Sequence, residues 1–164
     1  MTRAADKLIE QITQEISSGV LKPGDQLEES ALAEKFGVSR TPIREAIRAM
    51  VGSGFLQTRP RKGAIVRILT SKELLDLFEV AAGLEGMACR LAAAALTEEH
   101  AKAIKNKLEN CRVLAEANDK IQYSVANIEF HAAIHQATDN HWLIEQLQHI
   151  GIHINPYRSL PYDI

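Results

Sequence analysis

Residues 28–47 constrain this chain more than any other stretch. Ala31, Leu32 and Phe36 give a short helix an apolar face, and Gly37 permits a sharp turn. Val38 can fill the angle between two helices before Ser39 or Thr41 caps the next one. In that second helix Ile43, Ile47 and Met50 recur at helical spacing on one side, while Arg40, Thr41 and Arg44 crowd the first turn on the other. Pro42 does not disturb it, because a first-turn N–H has no partner inside the helix. The pattern is a helix-turn-helix whose second helix is apolar behind and basic at its leading end, the polarity of an element that enters a DNA major groove.

The flanking residues complete the unit. Residues 4–18 place Leu8, Ile9, Ile12 and Ile16 on one helical face, and Gly19 ends that helix. Lys22 to Asp25 form a turn, Gln26 and Leu27 a short extended piece, and Glu28 to Phe36 the first helix of the motif. Phe55 to Arg59 and Ala64 to Arg67 read as two strands joined at Pro60 to Gly63, a wing.

Several positions then carry a family likeness: Ile16 to Val20, the Lys22-Pro23-Gly24 turn, Leu27, Glu28, Leu32, Ala33, the run Gly37 to Ala46, Gly54 to Leu56, and Gly63. From about residue 7 to residue 67 the stretch resembles the amino-terminal domain of the GntR family of bacterial transcription regulators. Arg40 and Arg44 offer planar forks for guanine O6 and N7 or for phosphate, and Thr41 can reach a phosphate or a base edge. The resemblance adds Ser30, Ser39 and the wing tip Arg61, Lys62 and Gly63 as DNA contacts, the last allowing close backbone approach.

Charge divides the chain in the same place. Residues 1–68 hold 11 Lys+Arg against 8 Asp+Glu, whereas residues 69–164 hold 8 against 13. Only the first part has an electrostatic reason to approach phosphate. Two domains are expected, 1–68 and 69–164, and the 164 residues, 46% apolar, are enough for two small cores. Cys89 and Cys111 have no paired spacing, which points to buried free thiols in a reducing compartment rather than to a disulfide framework. No apolar run approaches the roughly 20 residues of a membrane span, so a cytoplasmic protein is expected.

The second part reads as four helices. Thr70 to Glu73 is a capping box opening a long pattern through Leu74, Leu77, Phe78, Ala81, Leu84, Ala88 and Leu91. Thr97 caps a helix running to about Asn118, a third spans about Lys120 to Thr138, and Asp139 or Asn140 caps a fourth. The segment Leu77 to Glu85, the box Glu129 to His131 and the start Asn140 to Leu143 resemble the FadR-type carboxy-terminal domain, the FCD effector domain. That resemblance implies a helical bundle that binds a small-molecule effector and dimerises. The family bundle has about six or seven helices, so one ending at Ile164 is expected to be incomplete, with Leu143, Ile144 and Leu147 uncovered.

Candidate ligands follow. Asn127 and His131 lie four apart and share a helical face, good geometry for two metal ligands. By resemblance the metal is a divalent ion such as Zn, Ni or Mn, although the family places Asp where this chain has Asn127 and draws two more His from later helices. The alternative is a core-facing polar pair satisfied by hydrogen bonds. His131 with His135, and His149 with His153, repeat the spacing without matching family ligands. Many relatives pair a carboxylate effector with an Arg four residues before the position of Glu85, but here that residue is Ala81, leaving Arg112 as a substitute and Glu85 as an ion-pairing or capping group.

No catalytic triad or Gly-rich phosphate loop stands out, so no enzyme is expected. The expectation is a mainly α protein: a winged helix-turn-helix of three helices and a two-stranded wing, then an all-α bundle. It would be a homodimeric repressor on a near-palindromic operator in double-stranded DNA, responding to a metabolite, a carboxylate among the candidates. Two competitors remain open at this point. One is a small-molecule or metal-binding helical module whose winged helix makes protein contacts; the other is a metal-dependent hydrolase on Asn127, His131 and His135.

Overall fold

A computed structural model describes residues 3–60 and 62–158. Arg61, one of the expected DNA contacts, lies outside the described residues, as do the last residues of the expected second domain. The described chain contains seven helices and three strands, and it packs as two compact units that divide after Leu74.

In the first unit α1 (Arg3–Ser17) packs on α3 (Arg40–Gly52), and α2 (Glu29–Phe36) crosses the same core. Ala5, Leu8, Ile12 and Ile16 of α1 are buried against a core that also holds Leu32, Ile43, Ala46 and Met50. Gly37 ends α2 with φ 65° and ψ 33°, the left-handed geometry that favours glycine, and its N–H closes the last turn. The wing is β2 (Leu56–Arg59) and β3 (Gly63–Val66), paired antiparallel so that Arg59 faces Gly63. The expected extended piece is β1 (Gln26–Leu27), a third strand on the other edge of β3, with Gln26 opposite Ile65. The turn before it is closed by Asp25, whose carboxylate accepts from the Lys22 N–H at 2.8 Å. Leu27, Leu56, Ala64, Ile65 and Val66 pin the sheet to the helices.

The capping box at the start of α4 (Ser71–Ala94) is formed in both directions. The Glu73 N–H donates to Thr70 Oγ1 at 3.2 Å, and the Thr70 N–H donates to Glu73 Oε2 at 2.8 Å. The Thr70 hydroxyl donates to the same carboxylate oxygen at 2.8 Å, and Arg67 donates to Oε1 at 2.7 Å. The Thr70 N–H, then its hydroxyl, then Arg67 hold the Glu73 carboxyl at about 2, below its ordinary 4.5. A depressed folded-state pKa adds stability that is complete above the ordinary value and is lost as pH falls toward the folded one. Glu73→Gln is therefore expected to lower the melting temperature at neutral pH, and the gap to the wild type is expected to close as pH falls from about 4.5 toward about 2. Thermal melts followed by circular dichroism across that range read the effect.

The second unit is a bundle of α4 with α5 (Glu98–Glu116), α6 (Lys120–Gln136) and α7 (His141–Arg158). Local caps set its helix starts. Thr97 accepts from the His100 N–H at 3.1 Å, Asp119 from Gln122 at 3.0 Å and Asn140 from Leu143 at 3.1 Å. Of the two residues expected to cap α7 it is Asn140 that does so, while Asp139 takes φ 49° in the turn.

Two expectations are overturned here. Leu143 and Leu147 are buried rather than uncovered: they pack on Ala88 of α4, with Leu84 and Leu91 beside it, and Ile144 is half-buried. Alanines at 81, 88, 92, 126 and 137 are buried in the same unit. Exposed apolar side chains instead sit on α4 (Leu75, Val80, Met87), α5 (Leu108, Val113), α6 (Ile121, Tyr123, Val125) and α7 (Trp142). Of the two thiols expected to be buried, Cys111 is, but Cys89 projects from the exposed side of α4. Among the described residues no helix is long and apolar enough to cross a membrane.

Candidate nucleic-acid interface and ligand site

The start of α3 is built so that its chemistry faces outward. Ile43, fully buried, and Ala46 and Met50 anchor its inner face. Arg40, Thr41 and Arg44 stand exposed on the outer one, with Arg40 and Arg44 one turn apart. Ser39 occupies the N-cap position with φ −71° and ψ 166°, yet its side chain makes no capping hydrogen bond, so capping is not what its hydroxyl contributes. Ser30 in the first turn of α2, and Lys62 and Gly63 at the wing tip, are exposed as well. Gly63 takes φ 68° with nothing within 4 Å of where a Cβ would project, so its backbone is open to close approach.

Arg44 has a partner that sequence spacing did not reveal. Its Nε donates to Glu29 Oε2 at 2.6 Å, from a side chain 56% exposed. Glu29 lies fifteen residues earlier, on a different helix, and only the α2–α3 crossing brings the two together. An ion pair at this exposure contributes about 1 kcal/mol or less to stability. A guanidinium engaged at Nε still has the donors of Nη1 and Nη2, which suit a pair of acceptors. In the last turn of α2, Lys35 forms an ion pair with Glu15 of α1.

In the second unit the structure gathers a different set of polar groups from the pair read in the sequence. His135 Nε2 lies 2.9 Å from Glu85 Oε2, and His131 Nδ1 lies 3.4 Å from the same oxygen. The imidazoles come from successive turns of α6 and the carboxylate from α4. Burial alone would raise the Glu85 pKa, but hydrogen bonds from His131 and then His135, with their positive charge when protonated, outweigh it and hold the group at about 2. Glu85 is thus an ionised carboxylate between two imidazoles, and the three ligand atoms lie within 4.8 Å of one another. One carboxylate and two imidazoles form a donor set able to hold a divalent first-row metal. Asn127 sits half-buried one turn before His131 on α6. The spacing of His135 from His131 was visible in the sequence; the missing signal was Glu85, fifty residues from His135.

The other residues considered for a ligand have different roles. Ala81 is buried one turn before Glu85. Arg112, the substitute anchor for a carboxylate, is engaged instead by Glu109 and Glu116 on the outer face of α5, which hold its pKa above the usual arginine value. The rings of His149 and His153 lie 5.3 Å apart on α7.

Comparison with known proteins fits this geometry. Residues 4–66 match the family described as bacterial regulatory proteins, gntR family, and residues 76–163 match the FCD domain. Over 153 residues the chain is 32% identical to the probable D-xylose utilization operon transcriptional repressor of Paenarthrobacter nicotinovorans, covering 93% of this chain and 67% of that one. It is 30% identical to the HTH-type transcriptional regulator YdhC of Bacillus subtilis, over 93% of this chain and 68% of the relative. The solved structure of Escherichia coli McbR/YncC superposes with a TM-score of 0.83 at 28% identity, covering 95% of this chain and 74% of that one. The chain thus spans about two thirds to three quarters of the length of these relatives. Two domain matches in the order of the two packed units, and regulators as relatives along nearly all of the chain, place it: it belongs to the GntR family of bacterial regulatory proteins, as a transcription regulator whose second half is an FCD domain.

Proposed function

We propose that the chain acts as a homodimeric, cytoplasmic repressor that reads a near-palindromic operator with residues 1–68 and senses a small metabolite with residues 69–164. The observation that carries this reading is the leading end of α3, where Arg40, Thr41 and Arg44 are exposed over a fully buried apolar back. Those three side chains, with Ser30, Ser39 and the wing residues Arg61, Lys62 and Gly63, are the DNA contacts. Repression is drawn from the relatives, one of which is named as an operon repressor. A symmetric pair of such units would recognise half-sites related by a two-fold axis. The effector, a carboxylate among the candidates, binds the helical unit, and a divalent metal such as Zn, Ni or Mn belongs to that sensing site.

Selection of duplexes with randomised cores, followed by anisotropy titration at two salt concentrations, tests it. Enrichment of a two-fold symmetric core is expected. Affinity is expected to fall by about 10³- to 10⁵-fold between about 50 and 200 mM salt if roughly six to ten phosphates are contacted. Binding that ignores salt would assign the winged helix to protein contacts instead. Salt-sensitive binding without an enriched core would remove operator reading.

A further inference from the structure

We infer that Arg48 is a further DNA contact, its guanidinium clamping a backbone phosphate from the third turn of α3 while the leading end of the helix reads bases. The inference rests on the proposal that α3 faces DNA, and it adds a group that the helix-turn-helix pattern does not single out. Its first support is placement. Ile43, Ala46 and Met50, all buried, set the inner face of α3. At about 100° per residue the exposed Arg48 stands almost opposite that face. It follows Arg44 by four residues and Thr41 by seven, so the three share one ridge of the outer face, with Arg40 at its margin. Along the helix axis Arg48 lies about 10 Å beyond Thr41.

The second support is electrostatic. Several cations of the first unit are neutralised within it: Arg44 pairs with Glu29, Lys35 with Glu15 and Arg67 with Glu73. Among the described residues no carboxylate engages Arg48. An unpaired arginine in the middle of an outward face keeps its charge and its five donors for an external anion. Position then decides between base and phosphate. In helix-turn-helix docking the N-terminal residues of the recognition helix touch base edges. A side chain about 10 Å farther along is carried toward the groove wall, where the acceptors are phosphate oxygens, and a planar fork suits two of them. Such a contact carries no sequence information but fixes the register of the protein on the duplex. Arg48 in this role holds Arg40, Thr41 and Arg44 over the bases.

The test is anisotropy titration of the full chain on the selected operator and on random duplex of the same length, over a salt series. Circular dichroism confirms that each variant is folded, which alanine on an exposed helix face favours. Arg48→Ala is expected to weaken binding roughly tenfold on both duplexes at about 50 mM salt, the size of a lost charged hydrogen bond. The deficit should shrink about 3.5-fold by about 200 mM, because one phosphate contact fewer lowers the slope of log K on log salt by about 0.9. Arg48→Lys should restore most of that slope, since an ammonium also neutralises a phosphate. Lys102→Ala removes an exposed cation from α5 of the second unit and should bind like the wild type. Wild-type affinity and slope in Arg48→Ala would overturn the inference, and so would an equal loss in Lys102→Ala, which would assign the effect to net charge. Loss confined to one base pair of the operator would place Arg48 on a base and overturn the phosphate role. Wild-type binding that ignores salt would instead overturn the DNA reading on which the inference rests.

Discussion

Arg44→Ala is expected to weaken operator binding by roughly 1 to 3 kcal/mol, about 5- to 150-fold, and to relax sequence preference at one base pair of each half-site. The size follows from the bidentate contact that an outward-facing guanidinium can make with guanine O6 and N7. Arg44 is prepared for it, since Glu29 holds its Nε at 2.6 Å and the first turns of α3 carry it clear of the core. Titration of the selected operator against single-base variants separates the possible roles. Uniform weakening on every sequence would assign Arg44 to a phosphate, whereas loss confined to one position would assign it to a base. Glu29→Gln should behave differently. It removes both a directing partner and a negative charge facing DNA, so affinity for random duplex should hold or rise while the ratio of operator to random binding falls. If that ratio is unchanged, Glu29 does not direct Arg44 in the complex.

Ile43→Ala is expected to destabilise the first unit by about 2 to 5 kcal/mol, the usual range for emptying a fully buried aliphatic site. Ile43 is 0% exposed on the inner face of α3, opposite the exposed Arg40, Thr41 and Arg44. Its loss leaves a cavity among α1, α2 and α3 that close-packed neighbours fill only in part. A domain of this size has about 5 to 15 kcal/mol in all, so the loss is a large fraction of the total. For roughly 60 to 100 residues each kcal/mol moves the midpoint by about 4 to 8 °C, so a shift on the order of 10 °C or more should appear in thermal melts. DNA binding should fail at temperatures where the wild type still binds, although none of the proposed DNA contacts has changed. Hydrogen exchange resolved by segment provides the check. Protection should fall across α1 and α3 while the second unit keeps its own, and an unchanged pattern in α1 would mean that Ile43 is not part of the shared core.

What could be read from the sequence is what neighbouring residues decide among themselves. The helix starts at Thr70, Thr97 and Asn140 rest on hydrogen bonds spanning three residues. Gly37 ends α2 through its own backbone angle. The buried faces of α1 and α3 follow from helical periodicity, and the wing from two short strands around a tip. For the same reason the family, the winged helix and the exposed Arg40, Thr41 and Arg44 were legible before any coordinates. The rest required the tertiary structure, because it depends on which helix faces which. Nothing near Gln26 reveals that it pairs with Ile65, and nothing near Arg44 reveals Glu29. Cys89 and Cys111 sit in similar helical runs, yet one is exposed and the other buried. Leu143 and Leu147 are covered because they pack on Ala88, Leu84 and Leu91 of α4, far away in the chain. Glu85 meets His131 and His135 only where α4 passes α6, and a contact made across forty-six to fifty residues is chosen by packing rather than by local spacing.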